Sequence, residues 1–432
     1  MFGYYLDLAL RSLKRNRMLT ALMVVAIALG IGACMTTLTV LHVLSGDPLP
    51  GKSARLYYPQ IDPQDMDGYQ PQNEPPLQVS WTDGMNLLHA KRADNQALMT
   101  GGSVPIQPEQ SSLEPFYDDA RYTTAGFFAM FEVPFLYGRA WSEADDDGSA
   151  RVAVLSRKLN DKLFGGADST GRTVRMEDVA FRVVGVIDDW RPNPHFYDLF
   201  SARYGGEESV FVPLTTAADL KFGRNGSMDC WGKGSGDNMK TATCTWLQLW
   251  VQLDSPAKAA AYKDFLIHYS QEQKAIGNFQ RPPNVRLRNL MEWLDYAKVV
   301  PSDVRLQVWL ALGFLLVCLV NTVGLMLAKF LRRSAELGVR RALGASRRSV
   351  FAQLLVEAGT VGLVGGLGGL LLAVAGLWLV RRQPVNYAAL AHLDLPMLAT
   401  TFLLAVGATL LAGLLPAWRA CQVTPALQLK SN

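Results

Sequence analysis

The sequence predicts an α-helical membrane protein with four transmembrane helices in a one-plus-three layout. A large α+β domain is inserted between the first and second spans. Three observations carry this. Of 432 residues 49% are hydrophobic, and the apolar residues gather in four long runs, so the mean hydropathy of +0.09 is unevenly distributed. Between Gly46 and Val300, a stretch of about 250 residues, no run is long enough to span a bilayer. Finally, Lys329 to Arg348 holds seven cationic side chains between two apolar runs. Short loops of this kind stay on the cytoplasmic side, which fixes the orientation and places the inserted domain outside.

In residues 1–18, Leu6, Leu10 and Leu13 stand at helical spacing against Arg11, Lys14, Arg15 and Arg17, predicting an amphipathic helix on the cytoplasmic surface. The first span, 19–45, is long enough to cross a bilayer and has no small-x-small cleavage site at its end, which argues against a signal peptide. Gly46–Ser53, GDPLPGKS, satisfies the phosphate-loop pattern G-x-x-x-x-G-K-[ST]. A working phosphate loop follows a buried strand and opens a helix. This one follows a membrane helix, contains Pro48 and Pro50, leads into an extended ARLYYPQ and faces away from cytoplasmic ATP. No ATP binding by the chain itself is expected.

The external region, 46–300, opens with the loop-rich DPQDMDGYQPQNEPP, and a compact α/β pattern starts at Phe116. Val152–Leu155 reads as a strand, Arg157 to Phe164 as a helix stopped by Gly165-Gly166, and Phe181 to Ile187 as a strand. Asp145, Asp146 and Asp147, and likewise Asp188 and Asp189, read as solvated turns, since no histidine or partner stands at ligand spacing. The five histidines are dispersed, so no metal site is expected. Glycine-rich Lys221–Thr245 carries Cys230 and Cys244 on the oxidising side, predicting a disulfide. A loop of about fifteen residues closed in this way is worth on the order of 3 kcal/mol by chain entropy. Cys34 and Cys318 fall inside spans and Cys421 just after the last. LQLWVQL is a strand, Pro256 to about Lys274 a helix capped by Ser255, and VRLRNL a closing strand. The core is therefore expected to form from both ends of the insertion.

Residues 301–331 predict a helix capped by Ser302 and Asp303, roughly 45 Å long against a hydrocarbon core of about 30 Å, hence a stalk plus second span. Asn321 and Thr322 within it suit an interhelical hydrogen bond. The loop 332–349 itself reads as a helix, with Ser334 as cap, Glu336 near the positive end, Arg340 and Arg341 near the other, and Gly344 as stop. Ser346 restarts the helix of the third span, 350–380, where Gly362/Gly366 and Gly365/Gly369 allow close packing. An external loop at 381–396 carries Arg381 and Arg382 against the charge rule; the fourth span, 397–417, and a cytoplasmic tail, 418–432, follow. The net charge of +4 is modest and sits beside apolar runs, which favours membrane lipid over nucleic acid as the basic segments' partner. No nucleophile–base or metal constellation points to an enzyme acting alone.

The order of residues in the basic loop says more than its charge. AELGVRRALGAS, followed by Phe351, Leu354 and Glu357, resembles the cytoplasmic loop of FtsX/MacB-type ABC transporter permeases. Glu336 through Gly338 and Arg340 through Ser346 all occupy the family's positions. The N-terminal ALRSLKRNR is similar as well. So is the tail at Pro416, Arg419, Ala420, Pro425, Leu429 and Lys430, although Trp418 and Cys421 depart from the pattern. Leu136–Arg139, VAVLS, LFGG, Gly171-Arg172, FRVVGVIDD and SVFVPL resemble the MacB-like periplasmic core domain.

The resemblance implies a multi-pass protein of the bacterial inner membrane with its large domain in the periplasm. It implies a coupling helix that docks on a separate, not fused, ABC ATPase, through Glu336, Leu337, Gly338, Arg340, Arg341 and Gly344. ATP and magnesium would belong to that ATPase and no cofactor to this chain. It further implies a dimer with a second permease, identical or paralogous, and mechanotransmission of ATP hydrolysis to the periplasmic domain. The implied outcome is export of periplasmic substrates such as peptides, antibiotics or other small molecules, with an adaptor and outer-membrane channel as further partners. Related permeases imply two alternatives: lipoprotein release, and FtsX-like regulation of a periplasmic hydrolase.

Overall fold

The computed structural model describes residues 8, 9, 11, 12, 16–108, 113–199, 203, 204, 207–232, 238–383, 392, 393 and 395–422. The chain divides into two compact units, Met1–Gly46 with Val300–Asn432, and Asp47–Val299. Of the predicted amphipathic helix, residues 8, 9, 11 and 12 are helical; Leu6, Leu10, Leu13, Lys14 and Arg15 lie outside the described residues. So do Pro425, Leu429 and Lys430 of the tail and most of the loop 381–396.

Helix α1 (Arg17–Ser45) is the first span. The inserted unit then begins with the GKS segment, where residues 53–55 form a single 3-10 turn that leads into strand β1 (Leu56–Gln60). Lys52 Nζ donates to the Ala129 carbonyl at 2.9 Å and lies 3.6 Å from Glu132. Its ammonium therefore anchors the entrance of the domain.

β2 (Val79–Ser80), α2 (Trp81–His89) and β3 (Asn95–Gln107) lie ahead of Phe116, in a part for which the sequence reading assigned no element. β4 (Phe116–Thr123), α3 (Gly126–Met130), β5 (Phe135–Gly138) and α4 (Glu143–Asp147) come next. β6 (Val152–Ser156), α5 (Arg157–Phe164), β7 (Thr173–Met176), β8 (Val179–Ile187), β9 (Val210–Pro213) and α6 (Leu214–Asp219) make the middle. β10 (Arg224–Asn225), β11 (Asp229–Cys230), β12 (Cys244–Gln252), α7 (Pro256–Ala275), β13 (Arg286–Asn289) and α8 (Leu290–Tyr296) complete it.

The strands form one mixed sheet of order β13–β1–β12–β3–β4–β9–β6–β8–β5. Tyr57 opposes Asn289 and Val251, so the two ends of the insertion do meet in the sheet. Alternate residues feed two separate cores. Leu98, Ala153, Leu155, Val210, Val212, Leu249 and Val251 face one, while Ala97, Met99, Val152, Val154, Phe211 and Trp250 face the other. With both faces covered, strands read as apolar on successive residues, as in Val152–Leu155 and Leu249–Val251, which is why VAVLS and LQLWVQL were visible in sequence. Local chemistry fixes the helix ends, the Gly165 stop and the Ser255–Pro256 start as expected and the Ser156 cap in addition. Ser156 accepts from Leu159 N, Gly165 closes α5 at φ +69°, and Ser255 accepts from Lys258 N with Pro256 at the first position. Cys230 and Cys244 stand opposite each other in the β11–β12 ladder and are bonded, S–S 2.06 Å.

The aspartate triplet differs from the expected solvated turn. It forms α4, begun by a Ser142–Asp145 capping box, and Asp146 is only 8% exposed. Its carboxylate accepts from Ala125 N at 2.7 Å and Trp141 Nε1 at 2.8 Å. Burial pushes the Asp146 carboxyl up to about 7, outweighing those two hydrogen bonds. The folded state therefore holds a proton that the unfolded state releases near pH 4, and this group's contribution to stability declines as pH rises from about 4 to about 7. Asp146→Asn is expected to flatten that slope, read as thermal midpoint against pH for the full chain. An unchanged slope would show that other groups set it.

In the membrane unit, α9 (Ser302–Arg332) is followed by α10 (Ser334–Ala342), α11 (Arg347–Val380) and α12 (Leu395–Gln422). Helices α1, α9, α11 and α12 are each long and apolar enough to cross a membrane. Three expectations are corrected. Ser302 and Asp303 lie in the first turn of α9, behind Pro301, and do not cap it. Ser334 does not cap α10 either: the cap position is Arg333, the turn residue between α9 and α10, and Ser334 is already the first helical residue. The Thr322 hydroxyl donates back to the Cys318 carbonyl at 2.7 Å within α9, not to another helix. Ser346 does cap α11, accepting from Ser349 N, and Gly344, at φ +101°, makes the left-handed turn after α10.

Candidate functional site

The membrane unit gathers its charge where α9 ends, α10 turns and α11 begins. Lys329, in the last turn of α9, points its Nζ at Glu357 of α11, 2.7 Å away. Both side chains are buried, 1% and 2% exposed. Glu357 also accepts from the Ser12 hydroxyl and from Arg333 Nη1 at 3.2 Å. Arg333 reaches three groups from the α9–α10 corner: Glu357, Ser12 Oγ at 2.7 Å, and both oxygens of Glu336 at 3.2 and 3.3 Å.

Glu336 is thus held from two sides, since Arg340 Nη2 donates to it at 3.2 Å one turn later. Arg340 also donates to Gln353 Oε1 of α11 at 3.1 Å, and Arg341 to the Cys421 carbonyl of α12 at 3.2 Å. Leu337, 4% exposed, inserts from α10 into the apolar core that contains Phe330, Val350, Leu354, Ala417 and Ala420. Gly338 follows it in mid-helix and Gly344 stands beyond the helix end. These ties fasten α10 to the residue-12 segment and to three of the four spans. Charge-assisted bonds of this kind are strong where water is scarce, and they share acceptors so that no charge is left alone.

The sequence reading placed Glu336, Leu337, Gly338, Arg340, Arg341 and Gly344 in one coupling element, and the fold brings them together on α10 and its exit. From its position Glu336 suits equally a basic groove on a partner or a pair with Arg340 four residues later; the structure shows the pair with Arg340 and adds Arg333. What faces outward is apolar: Val339 is 52% exposed and Leu343 83%. Four residues apart, they share a face of the helix turn. Lys329, Gln353 and Ser12 were not foreseen as parts of the site. The available signal was a lysine at the end of one apolar run and a glutamate inside another, since such groups pair when buried.

Comparison with known proteins fits this layout. The MacB-like periplasmic core domain profile matches residues 20–267, and the FtsX-like permease C-terminal profile matches residues 308–425. The chain belongs to the MacB/FtsX-type permease family. It is a multi-pass inner-membrane protein with a periplasmic domain between its first two spans, so α10 lies on the cytoplasmic side after α9 has crossed back.

A pyoverdine export ATP-binding/permease protein, PvdT, of Pseudomonas syringae pv. syringae is 27% identical over 317 residues, 71% of this chain and 42% of the relative. PvdT of Pseudomonas aeruginosa is 23% identical over 96% of this chain and 57% of the relative. The macrolide export ATP-binding/permease protein MacB of Azoarcus sp. is 24% identical over 98% of this chain and 59% of the relative. The chain thus spans about half the length of the curated relatives that it matches.

Proposed function

We propose that this MacB/FtsX-type permease works as the membrane half of an ABC exporter, with ATP and magnesium bound on an ATPase that docks against α10. In this reading two permeases and two ATPases assemble, and closure of the ATPases levers the cytoplasmic ends of the spans. The motion reaches the periplasmic domain as mechanotransmission and drives export of a periplasmic substrate. The chain itself hydrolyses nothing. Export is favoured over lipoprotein release or hydrolase regulation because the relatives at 96–98% coverage of this chain carry export in their names.

The observation that carries the docking half is the division of labour on α10. Its charged side chains bind inward to α9 and α11, which makes the helix stiff, while Val339 and Leu343 stay uncovered on its cytoplasmic side. A stiff helix with an apolar contact can be pushed, whereas a loosely held one would absorb the movement.

Val339→Glu combined with Leu343→Glu leaves every ion pair of the site in place. Loss of two buried hot-spot contacts is expected to weaken ATPase binding roughly thirtyfold or more. Membrane insertion should be unchanged. Co-purification of the ATPase from the same membranes, together with ATP-dependent export, measures it. Full assembly and activity in the double variant would mean that this pair touches only lipid.

A further inference from the structure

The periplasmic unit contains a cavity of about 580 Å³ beside β3, β4 and α6, far in sequence from the coupling helix. Its volume is in the range of small-molecule sites. Tyr122, Phe222 and Trp246 give it an aromatic lining, and Lys221, Arg224 and Lys240 bring positive charge. The only carboxylate among the described lining residues, Asp219, is already paired with Lys240 and accepts from Ser149 Oγ at 2.6 Å.

Arg224 and Lys221 have no carboxylate within ion-pair distance among the described residues. The Arg224 guanidinium lies 5.6 Å from the Trp246 ring centroid, and its Nη2 rests 2.9 Å from the Met228 sulfur, a weak acceptor. Partial burial lowers its affinity for the proton, the sign of a cation lacking its counter-charge. Two further polar atoms of lining residues, Trp246 Nε1 and Thr100 Oγ1, are buried with no hydrogen-bond partner among the described residues. Native interiors rarely leave such groups unsatisfied.

We propose that this cavity binds an amphipathic aromatic anion, a planar ring system bearing a carboxylate or sulfonate. The ring stacks against Trp246, Tyr122 and Phe222, and the anion meets Arg224 and Lys221. The Cys230–Cys244 bond closes the segment that supplies Asn238, Met239 and Lys240 to the wall.

The test uses the full chain in lipid nanodiscs, without ATPase or nucleotide, so that it is independent of the docking reading. Titration calorimetry with 2-naphthoate, corrected against empty nanodiscs, is expected to give one saturable site, and the neutral 2-naphthalenemethanol should bind roughly tenfold more weakly. Arg224→Met should weaken 2-naphthoate by a similar factor. Ala218→Trp, which fills the cavity from the half-exposed face of α6, should abolish binding, with thermal unfolding used to verify that both variants are folded. Absence of saturable heat at millimolar 2-naphthoate, equal affinity for the neutral probe, or wild-type affinity in both variants would overturn the proposal.

Discussion

Glu357→Leu is expected to be among the most damaging single changes in the membrane unit. Glu357 is the common acceptor for Lys329, Arg333 and Ser12, and its removal leaves Lys329 buried without its counter-ion at the end of α9. Breaking one side of a buried pair costs about 3–5 kcal/mol. Arg333 keeps Glu336, so the loss falls mainly on Lys329 and on the clasp between α9 and α11. Lys329→Met combined with Glu357→Leu removes both charges and should restore most of the stability. Thermal unfolding in detergent gives the comparison, with ATPase-coupled activity as the functional reading. A single variant no worse than the double would show that the pair does not hold these helices together.

Arg121→Met should injure the periplasmic unit to a similar degree, by a different route. Arg121 is fully buried on β4 and donates to Asp198 at 2.7 Å and Glu208 at 2.5 Å, above the ring of Tyr197. Tyr197 and His195 complete the shell of Glu208, and Gln248 donates to Asp198 at 3.2 Å. Burial alone would raise the Glu208 carboxyl, but His195 and Arg121 hold it well below its usual range. In the native protein this group stabilises the fold above its ordinary value of 4.5, and that stabilisation is lost as pH falls through the depressed folded value. Without the arginine, two buried carboxylates must share too few donors. A cost of about 3–5 kcal/mol is expected at neutral pH, or a midpoint lowered by roughly 10 °C. Both carboxyls would then be raised, so in the variant they should add stability as pH falls toward 4.5, whereas in the native protein Glu208 adds no slope there and its stabilisation is lost only below 4.5. Parallel pH profiles for the two proteins would refute this account.

How much could be read in advance follows from the range of the interactions involved. The four spans, α5 and α7 were legible because composition, caps and stops are written within a few residues of one another. Gly165-Gly166 after Phe164, and Ser255 with Pro256, are such cases. The setting of the GKS segment could also be read from its neighbours, since it follows a long apolar helix and leads through a single 3-10 turn into a strand. β3 escaped notice because Gly101, Gly102 and Pro105 read as breakers. In the sheet, Gly102 makes room for the ring of Tyr122 on the neighbouring strand, a requirement set by another segment. Asp146 was misjudged for the same reason, since Trp141 and the Ala125 amide turn an apparently solvated acid into a buried one. In the candidate site the helix, its charges and the Glu336–Arg340 spacing were visible, whereas the contact of Arg333 with Glu336 and that of Lys329 with Glu357 were not. Glu357 lies 28 positions from Lys329, and only the packing of α9 against α11 brings them together.

The glycines of α11 carry a further consequence. A methyl group on Gly365 would lie 2.7 Å from the Ile27 side chain of α1, on Gly369 2.8 Å from Ile31, and on Gly366 2.7 Å from Ala405 of α12. Gly362 is similarly closed off by Thr409. Leu363, Leu367, Leu371 and Val374 of the same helix are exposed on the membrane unit, where any apolar side chain of similar size would serve. Sequence drift in this span is therefore lopsided. One flank is free to wander among leucine, valine, isoleucine and phenylalanine, while the other is confined to the smallest residue. An ancestral reconstruction or saturation library of the segment would record a helix with a permissive side and a forbidden one, the boundary between them following the lines of contact with α1 and α12.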